Sequence, residues 1–220
     1  MLKDMTKGSE TRHILVFAIP MFIGNIFQQL YNMVDSIVVG RYIGKDALAA
    51  VGTSSPIVFF LIAMVMGLSM GASVIISQLY GAGDSKNLKR AVSTAYIFLL
   101  AGGVIITLIG LLFSRSLLRL LQTPEEIFND ALAYLNIILI GLIFTFAYNA
   151  ISAILRGLGD SKTPLYFLII TSLLNVVLDI WFVSSLGMGV EGAAWATVIS
   201  QAVSVILCFI YIYTKVDILK

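Results

Sequence analysis

The sequence predicts an all-α, polytopic membrane protein with six transmembrane helices, and three observations carry that prediction. Of its 220 residues, 59% are apolar and only 12% are charged, where an average soluble domain is roughly 45–50% apolar and about 25% charged. Apolar runs of 18 or more residues recur from Ile14 onward, each long enough to cross a bilayer. The charges are segregated between those runs. A surface with half the usual charge cannot face water, which excludes a soluble enzyme, a nucleic-acid binder and a disordered chain. The single Cys208 lies inside an apolar run, so neither a disulfide framework nor a cysteine metal site is expected.

The first span, near 14–40, is too long for a signal-peptide core and leads directly into further spans. Asn25, Gln28, Asn32, Asp35 and Ser36 mark a polar stripe along it. The second span, near 49–79, holds Gly67-x3-Gly71 with Ser69, Ser73 and Ser77 close by, a pattern expected to pack closely on a neighbouring helix. The third runs near 91–113. The fourth, near 127–155, follows Thr123-Pro124-Glu125-Glu126, read as an N-cap Thr, a first-turn Pro and a Glu three residues after the cap. Thr163-Pro164 opens the fifth, near 164–185, in the same way, and Thr171, Asn175 and Asp179 share one of its faces. The sixth, near 192–213, carries a third polar stripe of Thr197, Ser200, Gln201 and Ser204.

One pattern occurs twice. Gly81-Ala82-Gly83-Asp84-Ser85-Lys86 and Gly157-Leu158-Gly159-Asp160-Ser161-Lys162 both read G-x-G-D-S-K, 76 residues apart. Each follows an even-numbered span, and a helix cap with a tight turn and a basic anchor is the expected structure. Gly81 and Gly157 are the expected left-handed caps. Neither copy follows a strand, so a phosphate cradle is not expected.

The basic residues set an orientation. Lys3, Lys7, Arg12, Lys86, Lys89, Arg90, Arg156, Lys162, Lys215 and Lys220 fall on one side, and Arg41, Lys45, Arg115 and Arg119 on the other. By the positive-inside rule the first side is cytoplasmic, and both termini lie there. His13 beside Arg12 reads as a surface anchor.

Asp35 and Asp179 are the two ionisable residues well inside spans. A carboxylate near a helix centre costs roughly 2.5–3.5 kcal/mol on insertion scales, so each is a functional-site hypothesis. Counted from the span ends at about 1.5 Å per residue, Asp35, Asp179 and Thr197 lie roughly 7–10 Å below the outer boundary. Three helices thus bring oxygen ligands to one level, suited to a proton or a hard monovalent cation, with no sulfur or imidazole to favour a transition metal. The alternative for Asn25, Gln28, Ser200, Gln201 and Ser204 is interhelical hydrogen bonding.

The stretch Gln29-Leu30-Tyr31-Asn32-Met33-Val34-Asp35-Ser36-Ile37-Val38-Val39-Gly40 resembles the first-helix signature of the multidrug and toxic compound extrusion (MATE) transporters. Leu155-Arg156-Gly157-Leu158-Gly159-Asp160-Ser161-Lys162-Thr163-Pro164 resembles their fourth-to-fifth helix loop. Asn175-Val176-Val177-Leu178-Asp179 and Gly189-Val190-Glu191-Gly192-Ala193-Ala194-Trp195-Ala196-Thr197 resemble their fifth- and sixth-helix motifs. The resemblance implies one six-helix lobe of a twelve-helix secondary transporter in the cell membrane. It implies export of small organic cations in exchange for protons or sodium ions, with no other cofactor and no enzymatic activity. It implies a cation site of Asp35, Asn175, Asp179 and Thr197, with the Ala193 carbonyl as a further ligand and Tyr134 completing the network. Gln28, Asn32, Asn149 and Gln201 are expected to line a substrate cavity.

Besides lipid and cargo, the expected partner is a second six-helix lobe or a second copy of the chain, because an even number of spans gives both units one orientation. Two other readings are weaker. A flippase for lipid-linked saccharides needs basic groups facing its cavity, and no Lys or Arg lies within a predicted span. An intramembrane aspartyl protease also has two aspartates and a G-x-G-D motif, but both copies here sit in polar loops.

Overall fold

The structure is a computed structural model that describes residues 10–216. Six long helices follow in order: α1 Glu10–Tyr42, α2 Lys45–Gly81, α3 Ser85–Leu120, α4 Glu125–Gly157, α5 Lys162–Asp179 and α6 Gly189–Lys215. Each is long and apolar enough to span a bilayer. Lys3, Lys7 and Lys220, and the side chains of Arg12 and His13, lie outside what is described.

Every helix but α5 runs past both ends of the apolar stretch that predicted it. Backbone hydrogen bonding does not stop where hydrocarbon stops, so polar ends extend the same helix into the headgroup zone. α3 continues through exposed Arg115 and Arg119 to Leu120. The basic residues therefore lie outside the apolar runs but not outside the helices. The 37 residues of α2 measure about 55 Å at 1.5 Å per residue, well beyond a ~30 Å hydrocarbon core.

α4 is the hub. It packs on α2, α3 and α6, and 61% of its most apolar stretch is buried, against 6% in α1. Small residues make that packing close. A Cβ at Gly103 would lie 2.9 Å from Phe146 Cβ, and one at Gly157 would lie 3.0 Å from the Ser73 carbonyl. The expected Gly67-x3-Gly71 contact is not among these. Both glycines are exposed and have nothing within 4 Å of a Cβ position, because that face of α2 points away from its neighbours. α1 sits at the edge, packed mainly on α5, and large apolar side chains such as Phe22, Phe59, Met70 and Leu112 face outward, as a lipid-facing surface requires.

The helix ends correct three sequence expectations. In both G-x-G-D-S-K turns the left-handed residue is the second glycine, Gly83 (φ 71°) and Gly159 (φ 87°), whereas Gly81 and Gly157 are still helical. The bonds Gly83 N to Tyr80 O (3.1 Å) and Asp84 N to Leu79 O (3.1 Å) close a Schellman turn. Gly159 N to Arg156 O (3.0 Å) and Asp160 N to Leu155 O (2.8 Å) repeat it.

Secondly, Thr123 does not cap α4. Its hydroxyl donates to the Leu118 carbonyl at 2.8 Å, closing α3 instead, and Pro124 takes the N-cap position. Thirdly, Thr163 is not the cap of α5. The Asp160 carboxylate accepts from the Lys162 and Thr163 backbone N–H groups at 3.2 and 3.0 Å, and from the Thr163 hydroxyl at 2.6 Å.

The equivalent Asp84 caps α3, accepting from the Asn87 backbone N–H at 3.1 Å and its side-chain amide at 2.7 Å. Those Asn87 donors hold the Asp84 carboxyl below the usual carboxylate range.

The predicted fifth span is not one regular helix. α5 ends at Asp179, and a π-helical segment, Ile180–Ser185, follows. Leu186 N reaches the Trp181 carbonyl at 3.0 Å, five residues back, and Gly187 (φ 64°) and Gly189 (φ 62°) turn the chain into α6. Gly192 then packs on the π segment, where a Cβ would lie 3.2 Å from Phe182 Cβ. A wider turn at this point places Asp179 at its mouth. Such segments occur often at functional sites.

Candidate functional site

Parallel packing of α1 on α5 sets the site. Gly24 on α1 lets Leu165 and Leu168 approach to ordinary contact, and about three helical turns further along Asp35 comes up beside Asp179. The sharp return through Gly187 and Gly189 brings α6 back so that Thr197 closes the group. Asp35 is 9% exposed, Asn175 1%, Asp179 0% and Thr197 9%.

Thr197 Oγ1 is the junction. It accepts from Tyr31 Oη at 3.4 Å and from Asn175 Nδ2 at 3.4 Å. Asp35 Oδ1, Asn175 Oδ1 and both oxygens of Asp179 are buried without a hydrogen-bond partner among the described residues. The Asp35 and Asp179 carboxyls lie within electrostatic reach of each other across the α1–α5 contact.

A buried unpartnered amide oxygen costs free energy, and two facing carboxylates cost far more in a low dielectric. Four acceptor oxygens converging with no donor among them fit a proton between the carboxyls or a hard monovalent cation, an oxygen-only site by its donor chemistry.

Of the residues the sequence singled out, Asp35, Asn175, Asp179 and Thr197 are brought together. Tyr134 joins them from α4, at 9% exposed and close to both carboxyls and Tyr31. Ala193 is fully buried in the same cluster as Val38, Tyr134 and Val198. Its carbonyl stands one turn before Thr197, within the α6 hydrogen-bond ladder, which leaves it one lone pair.

The four cavity residues are split between two places. Gln28 and Asn32 are exposed on α1, beside a shallow groove lined by Asn25, Ile26, Gln29, Leu30 and Met33. Asn149 and Gln201 are half-buried between α4 and α6. There Thr145 Oγ1 donates to Gln201 Oε1 at 2.7 Å, and Asn149 Nδ2 donates to the Thr145 carbonyl at 2.8 Å.

Sequence reasoning missed Tyr31 as a site residue. Its spacing of four from Asp35 places both on one helical face, a signal consistent with the site but not sufficient to single it out. A tyrosine in an apolar run otherwise reads as an interface anchor.

The comparisons with known proteins agree with one another. The family model described as MatE matches residues 20–181. A probable multidrug resistance protein, YoeA, of Bacillus subtilis (strain 168) is 36% identical over 211 residues, covering 94% of this chain and 46% of that protein. The probable multidrug resistance protein NorM of Thermotoga maritima is 33% identical over 197 residues, covering 87% of this chain and 42% of that protein.

Among solved structures, a MATE in complex with MaD5 is 34% identical with a TM-score of 0.91, covering 98% of this chain and 49% of that one. A MOP-superfamily transporter from Pyrococcus furiosus Vc1, described as having a binding pocket of reversed polarity that suggests a different function, is 34% identical. Its TM-score is also 0.91, over 97% of this chain and 47% of that one. The chain spans about half the length of the curated relatives it matches.

Proposed function

The chain belongs to the MATE family of multidrug efflux transporters, and we propose that it is one six-helix lobe of a secondary antiporter exporting organic cations in exchange for protons or sodium ions. Transport rather than catalysis is the activity proposed. The observation that carries the reading is the facing pair Asp35 and Asp179, buried with unpartnered oxygens beside Asn175 and Thr197.

The pair cannot stay empty and doubly charged away from water. A proton or sodium ion arriving from outside neutralises it and favours one packing of the helices around it. The released cargo leaves outward, and return of the ion to the inside resets the lobe for another molecule. Thr197, held by Tyr31 and Asn175, keeps its own hydroxyl proton for whichever oxygen the ion leaves exposed. Tyr134 and the Ala193 carbonyl complete the ring around it.

Exposed Gln28 and Asn32, with Met33 and Leu30 beside them, offer an apolar, adaptable face with amide acceptors for a cationic, partly apolar molecule. Asn149 and Gln201 would add polar contacts from the α4–α6 side. A second six-helix lobe or a second copy would cover this face. The uneven distribution of the basic residues in the sequence supports a cell-membrane orientation with both termini cytoplasmic.

Asp35→Asn is the test. In energised vesicles carrying the chain together with a second six-helix lobe, ethidium efflux driven by an imposed proton or sodium gradient is expected to fall to background. Full activity refutes the site assignment, and the gradient that drives the unaltered protein identifies the coupling ion.

A flippase for lipid-linked saccharides is the second reading, considered because one relative is described as having a pocket of reversed polarity that suggests a different function. The acidic site argues for cationic cargo here, since a pyrophosphate headgroup would meet two carboxylates and no guanidinium. The aspartyl-protease reading has no support in the geometry, because the aspartates of both G-x-G-D motifs are helix caps.

A further inference from the structure

The α5–α6 contact carries polar groups well beyond the cation site. On α6, Thr197, Ser200, Ser204, Cys208 and Tyr211 recur at spacings of three, four, four and three, which keeps them on one stripe. The two helices are antiparallel. Asn175 meets Thr197 at the outer level, and Asp160 accepts from the Tyr211 hydroxyl at 3.1 Å at the other end. That register sets Ser200 opposite Thr171 and Ser172, all three buried.

The Ser200 hydroxyl is 4% exposed as a residue and has no partner among the described residues. Lower down, the Thr145–Gln201 bond relates α4 to α6 with an offset of 56 residues, which puts Ser152 beside Cys208. Ser152 is fully buried, and its hydroxyl is likewise unpartnered. Tyr148 crosses the same level, donating to the Pro164 carbonyl at 3.0 Å.

Unpartnered acceptors or hydroxyls therefore occur at three successive depths, Asn175, Ser200 and Ser152. The line ends at the Asp160 turn. On the α4 side of α6, at the level of Val198, Gly141 packs so closely that a Cβ would overlap the valine.

Buried polar groups without protein partners are the places where structural water binds, each molecule needing two to four such groups. We propose that ordered water fills the α5–α6 seam down to where α4 joins it, linking the Asp35–Asp179 pair to the Gly157–Lys162 turn through Ser200, Ser204 and Ser152. This rests on the antiporter reading for its use and not for its existence. A proton leaving the carboxyl pair passes to the nearest water oxygen. Each oxygen along the line then gives one of its own protons to the next, and a single proton emerges at the turn. No heavy-atom bond changes. The lobe thus has a proton route to the cytoplasmic side separate from the open face of α1.

The chain carries its own reporter, because Cys208 is its only thiol and lies on the stripe. The chain in lipid vesicles is exposed to silver ion, then unfolded in detergent, and the remaining free thiol is counted by maleimide labelling and mass. The control is Cys208→Ala with Ala150→Cys, a buried position in an apolar cluster. Silver is expected to consume Cys208 an order of magnitude faster than the control thiol. The rate is expected to drop to the control level in Ser200→Val with Ser204→Val.

Equal rates for Cys208 and the control overturn the proposal, as does a fast Cys208 rate unchanged by the two valines. The silver rate needs no transport activity, so it stands apart from failure of the antiporter reading. Proton release on substrate addition then tests the use of the line. Ser200→Val is expected to slow release while leaving substrate affinity intact, and Ser200→Thr to restore it. Unchanged release overturns the route.

Discussion

Gly141→Ala measures how tightly α4 and α6 are joined behind the cation site. A Cβ at 141 would overlap Val198 Cγ2, and it would lie 3.2 Å from Val198 Cβ and 3.3 Å from Cγ1. All three atoms belong to a side chain that is 4% exposed and fixed in a helix, so there is nowhere for it to swing. Overpacking of this kind costs about 1–3 kcal/mol. Against that, replacing a mid-helix glycine by alanine gains roughly 0.5–1 kcal/mol. The expected net is a loss of up to about 2.5 kcal/mol from these two terms.

Val198→Ala alone loses the contacts of two methyl groups. Combined with Gly141→Ala, however, the new methyl enters the space those groups leave. The double-mutant cycle should therefore show a coupling of about 1–3 kcal/mol in favour of the pair. The assay is reversible unfolding in mixed detergent micelles, followed by circular dichroism. Gly67→Ala serves as the control, since nothing lies within 4 Å of its Cβ position, and it should be neutral or stabilising. A stabilised Gly141→Ala, or an additive cycle, refutes the reasoning.

Other changes follow from the helix ends. Gln122 closes α3 with φ 54°, a conformation that suits glycine, so Gln122→Gly should raise stability by about 0.5–1 kcal/mol in the same unfolding assay. Asp160→Ala removes the acceptor of two backbone N–H groups and the Thr163 and Tyr211 hydroxyls. It should cost about 2–4 kcal/mol, whereas Asp84→Ala, at an exposed cap, should cost clearly less. The Asp84 carboxyl is held below its usual range only when folded. Its contribution is therefore present above the ordinary carboxylate pKa and lost as pH falls through the lower folded value. The protection of the Asn87 amide, taken relative to its intrinsic exchange rate, should fall over that acid window, and in Asp84→Asn this loss of protection should be absent.

The number, order and approximate limits of the helices were legible because apolar runs and charged breaks report directly on burial in lipid. The limits fell short by two to seven residues because hydropathy tracks the membrane, not the hydrogen-bond ladder. The π-helical segment after Asp179 left no mark, since Ile180–Ser185 is as apolar as the helix it interrupts. The caps were misread for a shared reason. Thr123 and Thr163 have the right residue type for an N-cap, but the chain turns that precede them decide which oxygen faces the free N–H groups.

Of the candidate site, Asp35, Asp179 and Thr197 could be grouped by depth, since straight helices of known rise carry position in their numbering, and Asn175 shares a face with Asp179 but joined the set through the family resemblance. Tyr31 could not be separated from an ordinary interface tyrosine without the contact to Thr197. The pairing of Gln201 with Thr145 was equally hidden, because it depends on which way α6 is rotated against α4.

The central claim is that Asp35 and Asp179 together hold the coupling cation. It is tested most directly by cation occupancy of the chain in lipid nanodiscs, read on one sample as bound radioactive sodium and as protons released by tetraphenylphosphonium. The account expects at least one of the two signals from the unaltered chain and neither from Asp35→Asn with Asp179→Asn. Signals undiminished in that double variant, or absent from the unaltered chain, contradict it.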